Sequence, residues 1–234
     1  AIGALLEKTG LSETVVRILE YTGKTAEGLT AFLAEAGARG RDFLLIRAES
    51  ARDAETLKAA GVFDAAVRAK KGGSIACAGF STRCENPAIL AALEAFSSAD
   101  FWATDYSYRC DDVAETIGKA AQHELSFISL DPLSGGILDP VPPEVHEIFR
   151  NAPVPRSHDE WALRAVWESQ DLVSAVVRPA SPEDLLRKTI LAEGGRANSL
   201  PSRELAVIAE AAKCLNAGVN KEKRAEREDF PSTH

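Results

Sequence analysis

Four carboxylates stand where they could act together. Glu20 follows the run "TVVRIL", Glu49 comes shortly after "FLLIR", Asp105 follows "FWAT" and Asp131 follows "SFISL". Each lies at or just beyond the end of a β-rich apolar run, so parallel alignment of those runs would place all four around one mouth. A ring of oxygen ligands suits a hard divalent cation, which makes Glu20, Glu49, Asp105 and Asp131 candidate metal ligands. The competing expectation is that Arg17, Arg47 and Arg178 neutralise them as ion pairs. Cys84 and Cys110 could share the mouth, with metal or redox chemistry weighed against simple burial. None of the four histidines strengthens the case, since His123 precedes a strand, His146 and His158 fall on helices and His234 is terminal. A second feature is the turn "DPLSGG" (131–136), where glycines would let the backbone approach a ligand closely.

The elements that must hold these residues alternate. Apolar runs at 14–19, 43–47, 74–79, 101–104, 126–130 and 173–178 read as strands. Between them, 3.6-residue apolar spacing predicts helices over 25–37, 86–96 and 157–167. Ser157 before His158, Asp159 and Glu160, and Ser181 before Pro182, Glu183 and Asp184, supply caps and first-turn acids. Strict alternation implies parallel strands, and nearly continuous apolar strands imply cover on both faces. No G-x-G-x-x-G follows the first strand, which favours a barrel over a dinucleotide-binding sheet. Residues 201 onward predict a last helix, leaving a barrel domain over 1–216 and a charged, solvated tail over 217–234.

Composition narrows the function classes. With 27 Lys and Arg against 35 Asp and Glu, the net charge of −8 disfavours nucleic acid and anionic membrane as partners. No run approaches the roughly 20 apolar residues of a membrane span. A soluble cytoplasmic protein with reduced thiols is the expectation, since the four cysteines lack C-x-x-C spacing. No basic stretch followed by an apolar one opens the chain, so no signal peptide is visible. Methionine is absent even at position 1, and "AIGALLEK" is already helical in spacing, so residues preceding Ala1 are expected.

"GRDFLLIR", "IACAGFST", "FWATDYS", "ISLDPLSGGIL", "EWALRAVW" and "VVRPASPEDLLRK" follow one another over roughly residues 1–215. In order and distance they resemble strands three to eight of the aldo-keto reductase superfamily. The resemblance implies a TIM-type (β/α)8 barrel without its first two strands, with the active face at the C-terminal strand ends. It further implies an NADP(H) site. Pro132, Leu133, Ser134, Gly135 and Gly136 match the stretch along the cofactor pyrophosphate, Ser81 and Thr82 the carboxamide contacts, and Tyr106 a tyrosine near the cofactor. Arg178, Ser181 and Lys188, with Arg187, stand near the 2′-phosphate clamp.

The departures matter as much. Family catalysis uses Asp, Tyr, Lys and His, the tyrosine giving a proton to a carbonyl as hydride arrives. Glu20 falls on the Lys position and Ser50, or a neighbour, on the His position, while the strands carrying Asp and Tyr have no counterpart. The clamp is also eroded, to Arg178-Pro179-Ala180. A divergent member with an impaired tetrad, acting as a binding or structural protein with weak NADP(H) affinity, is therefore expected. An NADP-dependent reductase of aldehydes or ketones is the alternative, and a metal-dependent enzyme using the acidic mouth a second. Unclosed strand edges predict a homo-oligomer or a protein partner.

Overall fold

A computed structural model of the chain describes residues 8, 10, 14–83, 85–110, 114–121, 125–133, 141–169 and 171–228. Its strands are β1 (Ile18–Tyr21), β2 (Phe43–Arg47), β3 (Cys77–Thr82), β4 (Phe101–Thr104), β5 (Ser126–Leu130) and β6 (Leu172–Val176). They follow chain order in one sheet, β1-β2-β3-β4-β5-β6. Helices fill every crossover: α1 (Ala26–Glu35), then α2 (Ala51–Ala59) with α3 (Val62–Lys71), α4 (Asn86–Ala95), α5 (Ala114–Ala121), and α6 (Pro143–Arg150) with α7 (His158–Trp167). Two more, α8 (Pro182–Glu193) and α9 (Ser202–Glu228), come after β6. This is the parallel progression of a TIM-type barrel, with six strands among the described residues.

The chain packs as two compact units, residues 1–103 with 119–126, and residues 104–118 with 127–234. In the first, β1 pairs with β2 and β2 with β3 in parallel register, aligning Glu20 with Leu45 and Leu45 with Gly79. Side chains alternate across a sheet, so Leu44, Ile46, Ala78 and Phe80 share one face, and all four are buried. The other face carries Glu20, Leu45, Arg47, Gly79 and Ser81. Gly79 is required where it stands, because a Cβ there would lie 2.3 Å from the carbonyl oxygen of Phe101 in β4. Sequence-local caps start the helices here too: Thr25 accepts from the Gly28 N–H at 3.1 Å and Ser50 from the Asp53 N–H at 3.2 Å.

In the second unit β5 pairs with β6 in parallel, with an irregularity between Phe127 and Ile128. Its core gathers Val145 and Phe149 of α6, Trp161 and Ala162 of α7, and Ile208, Ala211, Ala212 and Leu215 of α9. Phe149 stacks on Trp161 at 5.7 Å, and the Arg156 guanidinium lies 4.7 Å over the Trp161 ring while pairing with buried Glu204.

Three strand boundaries differ from the sequence expectation. β1 begins at Ile18 rather than 14, β3 spans 77–82 rather than 74–79, and β6 is 172–176 rather than 173–178. Apolar runs locate burial, whereas pairing with a neighbour sets where a strand starts and stops: Phe43 of β2 aligns with Ile18 and with Cys77. Helix α9 extends to Glu228, so most of the charged run expected as tail is helical.

Candidate functional site

The C-terminal ends of β1, β2 and β3 build one site from the first unit. Glu20 is the penultimate residue of β1, Arg47 the last of β2, and Ser81 the register partner of Arg47 in β3. All three share the sheet face described above. Arg47 Nε donates to Glu20 Oε1 at 2.9 Å, and its terminal nitrogens reach Glu20 at 2.8 Å and Glu49 at 3.6 Å. Arg83 continues the chain to Glu49 at 3.8 Å. Two of the candidate metal ligands, Glu20 and Glu49, are thus linked through a guanidinium. Arg17, expected to help neutralise the mouth, instead pairs with Asp42 just before β2 begins.

Ser50 is not a strand-end residue. It lies three positions beyond β2 as the N-cap of α2, accepting from the Asp53 N–H and donating to Asp53 Oδ2 at 3.0 Å. The side chain that register brings to Glu20 is Arg47, whose place at the close of β2 was legible from the run "FLLIR". Ser81 and Thr82 are buried at the end of β3, and the Ser81 carbonyl accepts from the Ala48 N–H at 2.8 Å.

In the second unit Tyr106 lies just beyond β4. Its ring meets Phe127 of β5 edge-on at 5.4 Å, and its carbonyl accepts from the Ser129 hydroxyl at 2.7 Å. Asp131 adopts a left-handed backbone (φ 56) as β5 ends, a conformation uncommon outside glycine and most accessible to Asp and Asn. Its N–H is held by the Val176 carbonyl of β6 at 3.0 Å. This kink turns the chain into Pro132, which is buried, and Leu133, which packs against the unit's core. Ser134, Gly135 and Gly136 fall outside the described residues, as do Cys84, His123 and His234.

The segment after β6 is described throughout. Ser181 caps α8 by accepting from the Asp184 N–H at 3.1 Å. Asp184 in turn accepts from the Ala180 N–H at 2.8 Å, from Lys188 Nζ at 2.7 Å and from Arg187 at 2.7 Å. Lys188 also donates to the Arg178 carbonyl at 3.3 Å, and Arg187 pairs with Asp159 of α7. The Lys188 ammonium above all, then the Ala180 N–H and Arg187, hold the Asp184 carboxyl well below the usual carboxylate range. Spacing of three and four residues on one helix made the Asp184 pairs readable in sequence, but not the Asp159 bond.

Cys110 sits beyond β4, its thiol 3.5 Å from the Asp105 carbonyl oxygen. His146 and His158 face one another across α6 and α7, with ring centres 5.4 Å apart. Among the described residues no group of three or more His, Cys, Asp or Glu side chains is arranged to hold a metal ion. A cavity of about 450 Å³ lies on the helical side of the first unit, between Leu29 and Leu33 of α1 and Ala65 and Ala69 of α3, away from the strand ends.

Solved structures place this architecture. An aldo-keto reductase from Bacillus halodurans, in its holo form, superposes with a TM-score of 0.70 at 16% identity, covering 90% of this chain and 75% of that one. The fold is that of the aldo-keto reductases. A thermostable aldo-keto reductase in complex with the inhibitor epalrestat gives 0.66 at 13% identity, covering 90% and 76%. An aldo/keto reductase from Brucella melitensis gives 0.65 at 13%, covering 90% and 79%. No family model and no curated protein matches the sequence. Within the first unit, Glu20, Arg47 and Ser81 lie at the C-terminal strand ends. No helix among the described residues is long and apolar enough to cross a membrane.

Proposed function

We propose that this chain is a divergent aldo-keto-reductase-like protein that binds a nicotinamide dinucleotide with its reductive machinery impaired. The observation carrying this reading is the Glu20–Arg47 pair, at 2.8–2.9 Å. Glu20 stands where the resemblance expects a lysine. A reductase tyrosine, with an unperturbed pKa of about 10, is helped by a nearby ammonium, whereas a carboxylate opposes its ionisation and offers the carbonyl oxygen no positive charge. Ser81, Thr82, Tyr106 and the turn from Pro132 through Leu133, Ser134 and Gly135 to Gly136 are the residues we assign to the dinucleotide. A cytoplasmic location and a small carbonyl ligand accompany this reading.

Assay of purified protein with NADPH and NADH against a panel of aldehydes and ketones is expected to give negligible turnover, and Glu20→Lys to recover only part of a missing ~10²- to 10⁴-fold. Robust turnover by the unmodified chain would sink the impaired-enzyme reading. One observation favours a working reductase instead: Arg47 keeps a guanidinium at the same strand end, 44% exposed, where it could face a developing oxyanion. In that case Arg47→Met abolishes turnover that the unmodified chain shows.

A further inference from the structure

Resting on the dinucleotide reading above, we propose that Asp184 makes this chain discriminate against a 2′-phosphorylated dinucleotide, so that it takes the unphosphorylated form. The resemblance assigns phosphate recognition to the segment after β6, and there the 2′-phosphate does not fit the residues present. Two of the three cations of the segment are already committed. Lys188 is 8% exposed and hydrogen-bonds Asp184 Oδ2 at 2.7 Å and the Arg178 carbonyl at 3.3 Å. Arg187 bridges Asp184 Oδ1, at 2.7 Å, and Asp159. Two cations therefore meet two carboxylates, and exposed Glu183 adds a third negative charge in the same helical turn. Arg178, the other cation of the segment, is exposed.

Two backbone donors at the opening of α8 are committed as well. Pro182 has no N–H, the Asp184 N–H goes to Ser181 Oγ, and the Ala180 N–H goes to Asp184 Oδ2. To reach Lys188, Arg187 or the Ala180 N–H, a 2′-phosphate carrying one to two negative charges would have to displace Asp184. An unphosphorylated ribose makes no such demand. Removing one carboxylate charge near the phosphate at a partly exposed site raises affinity by about tenfold, after allowance for solvent screening.

The test is calorimetric titration of the whole chain, Asp184→Asn and Asp159→Asn with NADH, NADPH, AMP and adenosine 2′,5′-bisphosphate. Asp184→Asn keeps an oxygen for the Ala180 N–H, and Asp159→Asn leaves the helix cap untouched, so at least one variant tests the idea in a folded protein. The unmodified chain is expected to bind NADH at least as tightly as NADPH, and AMP at least as tightly as the bisphosphate. Asp184→Asn should gain about tenfold for NADPH and for the bisphosphate, with NADH changed less than about twofold, and Asp159→Asn a smaller gain of the same sign. A tenfold preference of the unmodified chain for NADPH overturns the proposal. So does an unchanged NADPH-to-NADH ratio in both variants, which leaves the dinucleotide reading intact. Failure of all three proteins to bind any of the four probes overturns that reading, and the proposal with it.

Discussion

Asp42 shows what a buried carboxylate does when it is not part of a site. Its side chain is fully buried before β2, receiving Arg17 Nε at 3.1 Å, the Arg39 N–H at 2.9 Å and the Arg39 guanidinium at 3.3 Å. Burial alone would raise its pKa, but the hydrogen bonds from Arg17 and Arg39 outweigh it and hold the group at about 2, against 3.8 unperturbed. A carboxyl depressed on folding contributes stability that is present above the unfolded value and lost as pH falls through the folded one. That difference is worth about 2 kcal/mol. Urea unfolding of the unmodified chain should therefore show stability falling between about pH 4 and pH 2. Asp42→Asn should lower stability by about 3 kcal/mol at pH 7, because the half of the pair that remains loses its charge partner in a mostly buried setting, and should flatten the pH dependence in that window. An unaltered acid profile in the variant would show that other carboxylates carry it. The Glu20–Arg47 pair differs in kind: at 39% and 44% exposed, it contributes about 1 kcal/mol or less to stability. Its weight lies in the charge it places at a strand end.

β3 and β4 approach closely in the first unit. Gly79 is buried in β3, and a methyl group there would press on the Phe101 carbonyl at 2.3 Å and on the Phe101 ring at 2.9 Å. Backbone cannot yield as a flexible side chain can, so Gly79→Ala is expected to cost about 2 to 3 kcal/mol. Thermal unfolding of the two proteins measures it, and an unchanged midpoint would mean that β4 shifts freely. The strain at Asp131 (φ 56) is of another sort, since it closes β5 by a bond to β6 as the chain passes into Pro132. Helix α8 combines both lessons. Its cap at Ser181 is local, whereas its electrostatics depend on a neighbour, Asp159 of α7.

The two strands that end the sheet order present apolar surface. Val16 and Ile18 at β1 are 49% and 40% exposed, and Val173 and Val176 of β6 are 67% and 41% exposed. Leu185, Leu186 and Ile190 of α8 are exposed as well. Among the described residues no further strand pairs with β1 or β6, and a sheet edge beside such side chains invites another strand. These 234 residues on their own are accordingly expected to self-associate in multi-angle light scattering at micromolar concentration. A stable monomer with no concentration dependence would show that the edges are protected. Lysine in place of Val173 should reduce association, because a charge at an edge blocks pairing without disturbing β5.

Strand and helix order was legible in the chain because its signals are local: apolar period, capping serines and first-turn acids act over a few residues. That order, with the resemblance, sufficed for the barrel type and for the C-terminal strand ends as the place to look. That Arg47 would neutralise an acidic strand end was expected, but which cation meets which distant carboxylate was not legible there. Glu20 meets Arg47, 27 positions away, because β1 and β2 pair with Glu20 opposite Leu45, and Ser50 leaves the strand end because β2 closes at Arg47. Arg17 goes to Asp42 instead of the mouth, and Arg187 reaches Asp159 across 28 positions. Hydrophobic pattern is written residue by residue, but the destination of a charge depends on which groups the fold brings within a few ångströms, where Coulomb attraction and desolvation are both large. The sequence by itself therefore determined a parallel β/α chain with acidic strand ends, and only the tertiary structure decided that Arg47 answers Glu20 and that Asp184 and Asp159 answer the cations of α8.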